Sequence, residues 1–167
     1  MTLNKQRLSI LEQAAHEILN PLGFKRQKAT WRRRLPEVLQ QFSIVSMQLG
    51  ARYRPEWGIN LFAFSEDPRP QPNRLHVRWI LEQFLRPKRG MTVRREVLDV
   101  LGALDLASDM DDARRAKHLS RFLNRRVLPC FETYQTKDSV RGMMADYGSP
   151  FRAQTFSGCP ESWWPHE

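Results

Sequence analysis

Ala29-Thr30-Trp31-Arg32-Arg33-Arg34-Leu35-Pro36-Glu37-Val38-Leu39-Gln40-Gln41-Phe42-Ser43-Ile44-Val45-Ser46-Met47-Gln48-Leu49 decides how the chain folds. Two extended runs, 29–35 and 38–49, flank the short connection Pro36-Glu37, which is the form of an antiparallel pair. In the second run Phe42, Ile44 and Ser46 alternate with Ser43, Val45 and Met47. Neither face is plainly polar, so this run reads as a central strand covered on both sides. Residues 50–56 form a turn-bearing link that exposes Arg52 and Arg54 at its tip. Beyond it Trp57, Ile59, Leu61 and Ala63 share one face of a third strand, with Asn60, Phe62 and Phe64 on the other. Pro68, Pro70 and Pro72 then make 66–73 a stiff loop that cannot join a ladder. In 75–85, His76, Arg78, Ile80 and Glu82 alternate with Val77, Trp79, Leu81 and Gln83, which favours a fourth strand, although Trp79, Ile80, Phe84 and Leu85 also suit a short helix.

Outside this meander the period is helical. Leu8, Leu11, Ala15, Ile18 and Leu22 recur at three- and four-residue steps, and Asn20, Pro21 and Gly23 close that first helix. After Gly90, Val93, Val97, Leu101 and Leu104 form a second stripe. Residues 111–128 then read as the clearest helix, with Ala116, Leu119, Leu123 and Val127 inward and Arg114, Lys117, His118, Arg121 and Arg125 outward. Pro129 ends or kinks it, and Thr136 caps a short last helix. The expected fold is α+β: an N-terminal helix, an antiparallel three- or four-stranded meander, then two to three helices packed on the sheet. With 167 residues, 41% of them hydrophobic, residues 1–148 suffice for a single domain with a substantial core. Residues 149–167 form an aromatic tail containing Pro, Gly and Ser. Its Phe151, Phe156, Trp163 and Trp164 either dock on the domain or insert into a partner, and the compactness of the chain favours docking.

The order of the first helix, Leu22-Gly23-Phe24-Lys25-Arg26, an arginine-rich strand, a long second strand and Trp57-Gly58-Ile59-Asn60-Leu61 resembles the bacterial proteins grouped as domain of unknown function 4304 (DUF4304). Val127-Leu128-Pro129-Cys130-Phe131 followed by a short helix resembles the closing part of that family. The resemblance spans roughly residues 3 to 146. It implies an α+β fold, and it transfers no catalytic residue.

Charge is the main functional signal: 27 Lys and Arg against 18 Asp and Glu give a net +9. It is concentrated in runs at 25–34, 86–95 and 114–126, none containing an acid. Clustered like charge repels itself and must be held by the fold or offset by an anionic partner, so the pattern points to binding. Arg32, Arg34, Arg114, Lys117, Arg121 and Arg125 are the candidate partner-binding cations. Trp31, Trp79, Trp163 and Trp164 are candidate aromatic contacts beside them. The expected partner is an acidic protein, met by a non-enzymatic binding protein with an antidote-like or regulatory role. A nucleic-acid binder with phosphate-dominated, sequence-independent contacts is the alternative, and an unrecognised enzyme the second.

Catalytic and cofactor chemistry finds little footing. His16, His76, His118 and His166 are scattered and no Cys-x-x-Cys pair occurs, so neither a metal nor another cofactor is expected. Asp109, Asp111 and Asp112 stand where a helix begins, which makes them caps rather than cation ligands. Gly50, Gly58 and Gly90 stand alone, unlike a phosphate-cradling loop. Cys130 reads as a buried, inert thiol and Cys159 as an exposed, oxidisable one. The first twenty residues lack a secretory core and no window is apolar enough to span a bilayer, so the expected home is cytoplasmic.

Overall fold

The computed structural model describes residues 2–48, 50–81, 91–146, 155–156, 158–159 and 161–163. Arg86, Lys88 and Arg89 of the second basic run, the ambiguous stretch 82–85, and Trp164 lie outside these residues. Helix α1 (Leu3–Leu19) buries Leu11, Ala14, Ala15 and Leu19. A 3-10 turn (Asn20–Leu22) ends at Gly23, whose φ of +85° is left-handed backbone that glycine adopts without strain. Leu22, expected on the apolar stripe, falls in this turn and is exposed, while Phe24 just after it is buried.

Five strands follow: β1 (Lys25–Gln27), β2 (Thr30–Arg34), β3 (Val38–Ser46), β4 (Tyr53–Leu61) and β5 (Val77–Trp79). They form one antiparallel meander in the order β1-β2-β3-β4-β5. The strand beyond the expected three or four is β1. Its three residues are all exposed, so no apolar alternation announces it. Strand β4 begins four residues before Trp57, which places Arg54 opposite Val45 in the ladder rather than at a loop tip. Pro55 is tolerated in β4 because β5 pairs only with residues 57–59, leaving that stretch of the outer edge without a ladder partner. Opposite the middle of β5, Gly58 is obligatory: a Cβ there would stand 2.1 Å from the Val77 carbonyl oxygen.

One face of the sheet carries an aromatic row built by register. Arg26 pairs with Trp31, Trp31 with Phe42, Phe42 with Trp57 and Trp57 with Trp79, crossing all five strands. Trp31, Phe42 and Trp57 are fully buried and Trp79 is 2% exposed. Trp57 and Trp79 stack at 6.4 Å, and Phe122 meets Trp57 edge-on at 5.4 Å. Such large side chains dominate the burial free energy of the domain. The helical layer lies over this face: α1, α2 (Met91–Leu104), α3 (Asp112–Phe122), α4 (Leu128–Thr133) and α5 (Lys137–Asp146).

The long helix expected at 111–128 is broken into parts. Asp111 caps α3 by accepting from the Arg114 N–H at 2.8 Å, a π turn (Leu123–Val127) follows, and α4 starts with Pro129 in its first turn. Thr136 caps α5 through the Ser139 N–H at 3.2 Å. The tail docks where it is described: Phe156 is fully buried, and the Trp163 ring meets Phe64 edge-on at 4.7 Å. Cys159 is buried rather than exposed, and burial pushes its thiol up to about 12. Cys130 is half-buried, its thiol donating to the Arg126 carbonyl at 3.1 Å.

Candidate functional site

The basic runs contain no acids, but the fold brings acids to them from elsewhere. Arg26 of the first run meets Glu12 of α1, and outside the runs Arg52 meets Asp105 and Arg54 donates to the buried Glu56. Glu96 of α2 is 7% exposed and takes Arg125 at 2.8 Å and Arg126 at 2.6 Å. Burial alone would raise the Glu96 pKa, yet the hydrogen bonds from both guanidiniums hold it below the usual carboxylate value. The π turn has a direct use here, since it carries two consecutive arginines to one carboxylate. Arg125, a candidate contact, is therefore already engaged within the chain.

Arg115 is removed from the surface altogether. It is fully buried, and its guanidinium donates from Nε to Met110 O (3.0 Å), from Nη1 to Ala103 O and Asp105 O (2.7 Å each), and from Nη2 to Ser108 O (2.6 Å) and Ser108 Oγ (3.0 Å). Burial and the nearby Arg7 charge lower its pKa, while Asp112, Asp105 and Asp111 oppose that shift. The side chain ties the end of α2 to the start of α3, satisfying carbonyls that a helix terminus leaves without partners.

The remaining candidates fall on two opposite sides of the molecule. Arg114, Lys117 and Arg121, at steps of three and four on α3, are all exposed and border one shallow depression of about 360 Å³ together with Ala113 and His118. None of the three has a carboxylate within salt-bridge distance among the described residues. His118 sits at the edge of this patch with both ring nitrogens facing neighbours. Nε2 accepts from Arg114 at 3.3 Å, and Nδ1 lies 3.6 Å from Asp99.

Arg32 and Arg34 alternate with Trp31 and Arg33 along β2, so they leave the sheet on the face away from the helices. There they join Lys25, Arg26, Gln27, Leu39, Gly23, Pro68 and Arg69 around a groove of about 610 Å³. Arg32 donates to Gln41 Oε1 at 2.7 Å and to Gln27 Oε1 at 3.3 Å, and Arg34 lies 4.1 Å over the Phe62 ring. Lys25, Arg26 and Arg69 are the cations that the sequence did not single out for this site. Arg69 is brought in by the proline loop, a tertiary approach that leaves no local pattern.

The aromatic contacts proposed from sequence are corrected at two positions. Trp31 and Trp79 belong to the core row, where register rather than partner recognition places them. Trp163 is half-buried on Phe64, with Lys137 Nζ at 5.7 Å and the Arg141 guanidinium at 6.0 Å over its ring. Among the described residues no cluster of three or more His, Cys, Asp or Glu is arranged to hold a metal, and no helix is long and apolar enough to cross a membrane.

In comparisons with known proteins, no family model, no curated protein and no solved structure matches the chain. The likeness to the family noted above thus rests on the order of its sequence anchors.

Proposed function

We propose that the chain is a non-enzymatic, cytoplasmic binding protein that captures an acidic protein partner on the outer face of α3, in the manner of an antidote or regulator. The observation that carries this reading is the row Arg114, Lys117 and Arg121, three exposed cations on one helix face without a carboxylate partner among the described residues. A shallow charged strip suits a macromolecular surface. Charges of this kind steer encounter and suppress wrong partners more than they tighten the complex. Arg114 and Arg121 add guanidinium forks that match carboxylates in pairs.

The test is anisotropy titration of a fluorescent Glu-rich peptide and of a fluorescent DNA duplex at low ionic strength. Each exposed charge pair contributes about 0.5–1 kcal/mol, so R114Q/K117Q/R121Q weakens peptide binding roughly 10- to 100-fold. Its melting temperature stays close to the parent's, because the three side chains lie outside the core. Preferential duplex binding, with a log-affinity slope near −3 against log salt for three phosphate contacts, overturns the acidic-protein reading in favour of nucleic acid. Unchanged peptide binding by the triple variant removes α3 from the interface.

A further inference from the structure

We propose that the groove on the sheet face opposite the described α-helices, lined by Lys25, Arg32, Arg34 and Arg69 with Arg26 reaching its rim from the β1 edge, is a second binding site, and that it takes a compact small molecule carrying several phosphate groups. Its shape separates it from the α3 strip. The groove is concave, and its volume of about 610 Å³ lies within the roughly 300–1,000 Å³ usual for small-ligand sites.

The manner in which the arginines are held is the main support. An arginine fixed by a carboxylate is oriented and neutralised together, whereas one fixed by an amide oxygen or an aromatic ring is oriented with its charge intact. Arg32 is held by Gln41, which is fully buried, and by Gln27 at the groove's edge. Arg34 is held on Phe62. Among the described residues Arg26 is the one groove cation in an ion pair, with Glu12, and its Nε is aimed by the Lys28 carbonyl at 2.8 Å. The fold therefore presents guanidiniums in set directions and leaves most of the charge unanswered.

Electrostatics within the groove point the same way. Arg32 and Arg69 are close enough to repel, and this repulsion adds to burial in pulling the Arg32 pKa down. Asp67 offsets part of it while one of its carboxylate oxygens accepts the Arg69 backbone N–H at 2.8 Å. Two like charges brought together at a concave surface are relieved by an anion seated between them. Five cations around one groove exceed what the two carboxylates Glu12 and Asp67 can answer and match a chain of phosphates. The guanidinium fork meets phosphate oxygens in pairs, and Leu39 and Pro68 supply apolar wall for a ligand's uncharged part.

Isothermal titration calorimetry with tripolyphosphate at low ionic strength, beside citrate as the carboxylate comparison, tests the site. Tripolyphosphate is expected to bind at least tenfold more tightly than citrate. R32Q/R34Q is expected to weaken it at least tenfold, and R114Q/K117Q/R121Q to leave it within twofold. Arg69 lies in an exposed loop, so R69Q reports on the groove even if loss of the Arg32–Gln41 contact disturbs the fold; a three- to tenfold weakening is expected. Absence of binding, equal binding of citrate, retention by R69Q, or loss in the α3 variant each overturns the proposal. Because the α3 variant tests the acidic-partner reading separately, either site can fail without the other.

Discussion

Replacing Arg115 with Met separates the structural arginines of the third basic run from the exposed ones. Met nearly fills the space of the aliphatic stem but removes the guanidinium donors from the carbonyls of Ala103, Asp105, Ser108 and Met110, of which Asp105 keeps Ser108 and Ser108 keeps Arg7 as donors. A hydrogen bond to a charged group contributes about 1.5–3 kcal/mol and a stranded buried acceptor costs about 1–3 kcal/mol. These terms overlap, and the variant recovers part of the free energy spent in desolvating the guanidinium. A net loss of about 3–4 kcal/mol follows. For a chain of this length each kcal/mol moves the melting temperature about 2–4 °C, so a fall of roughly 6–16 °C is expected. Urea denaturation followed by tryptophan fluorescence and by far-UV circular dichroism gives the free energy and checks that both probes report one transition. A loss below about 1 kcal/mol would refute the role of Arg115 as the tie between α2 and α3, and would return it to the binding surface.

Gly58→Ala forces a methyl group against the Val77 carbonyl and against Leu75 Cδ1 at 2.9 Å, and should cost about 1–3 kcal/mol in urea denaturation; an unchanged midpoint would mean β5 is displaced at no cost. His76 Nδ1 accepts the Leu61 N–H at 2.9 Å, and burial lowers its pKa below the 6.5 of an unperturbed imidazole. The unfolded chain thus takes up that proton first, so stability is complete above pH 6.5 and declines as pH falls towards the folded value. His76→Phe should flatten the pH 7 to 5 portion of the stability curve, and an unaltered slope would count against the linkage. Cys159, buried with its pKa pushed up to about 12, should resist iodoacetamide at pH 8 in the native protein and react once unfolded, as peptide mass mapping can show. Rapid native labelling would place the tail off the domain.

Much of the fold was legible because it rests on local periodicity. The Trp57, Ile59, Leu61 face, the Val97 and Leu104 stripe and the Leu119, Leu123, Val127 stripe all emerge as core. What escaped was set by tertiary geometry. Strand β1 consists of exposed residues stabilised by a hairpin and a neighbouring strand, so its own side chains give no pattern. The π turn is not visible in the apolar spacing, because Leu123 and Val127 stay buried on either side of the extra residue. Of the candidate site, the Arg114, Lys117 and Arg121 face followed from helical spacing, and Arg32 with Arg34 followed from the acid-free run at 25–34. The sequence did not show that these two groups lie on opposite sides, nor that Arg115 and Arg125 are engaged internally, since Ala103, Ser108 and Glu96 reach them only through folding. Trp31 and Trp79 were misread for a related reason: next to arginines they resemble a recognition surface, yet cross-strand register makes them the ends of one buried row.

Acetylation footprinting of the lysines, with and without saturating Glu-rich peptide, tests most directly whether α3 receives the acidic partner. Lys117 should be protected in the complex while Lys25, paired with Arg32 on the far side of the sheet, and Lys28, in the turn between β1 and β2, keep their reactivity. Equal acetylation of Lys117 in both states, or protection of Lys25 alone, would contradict that placement.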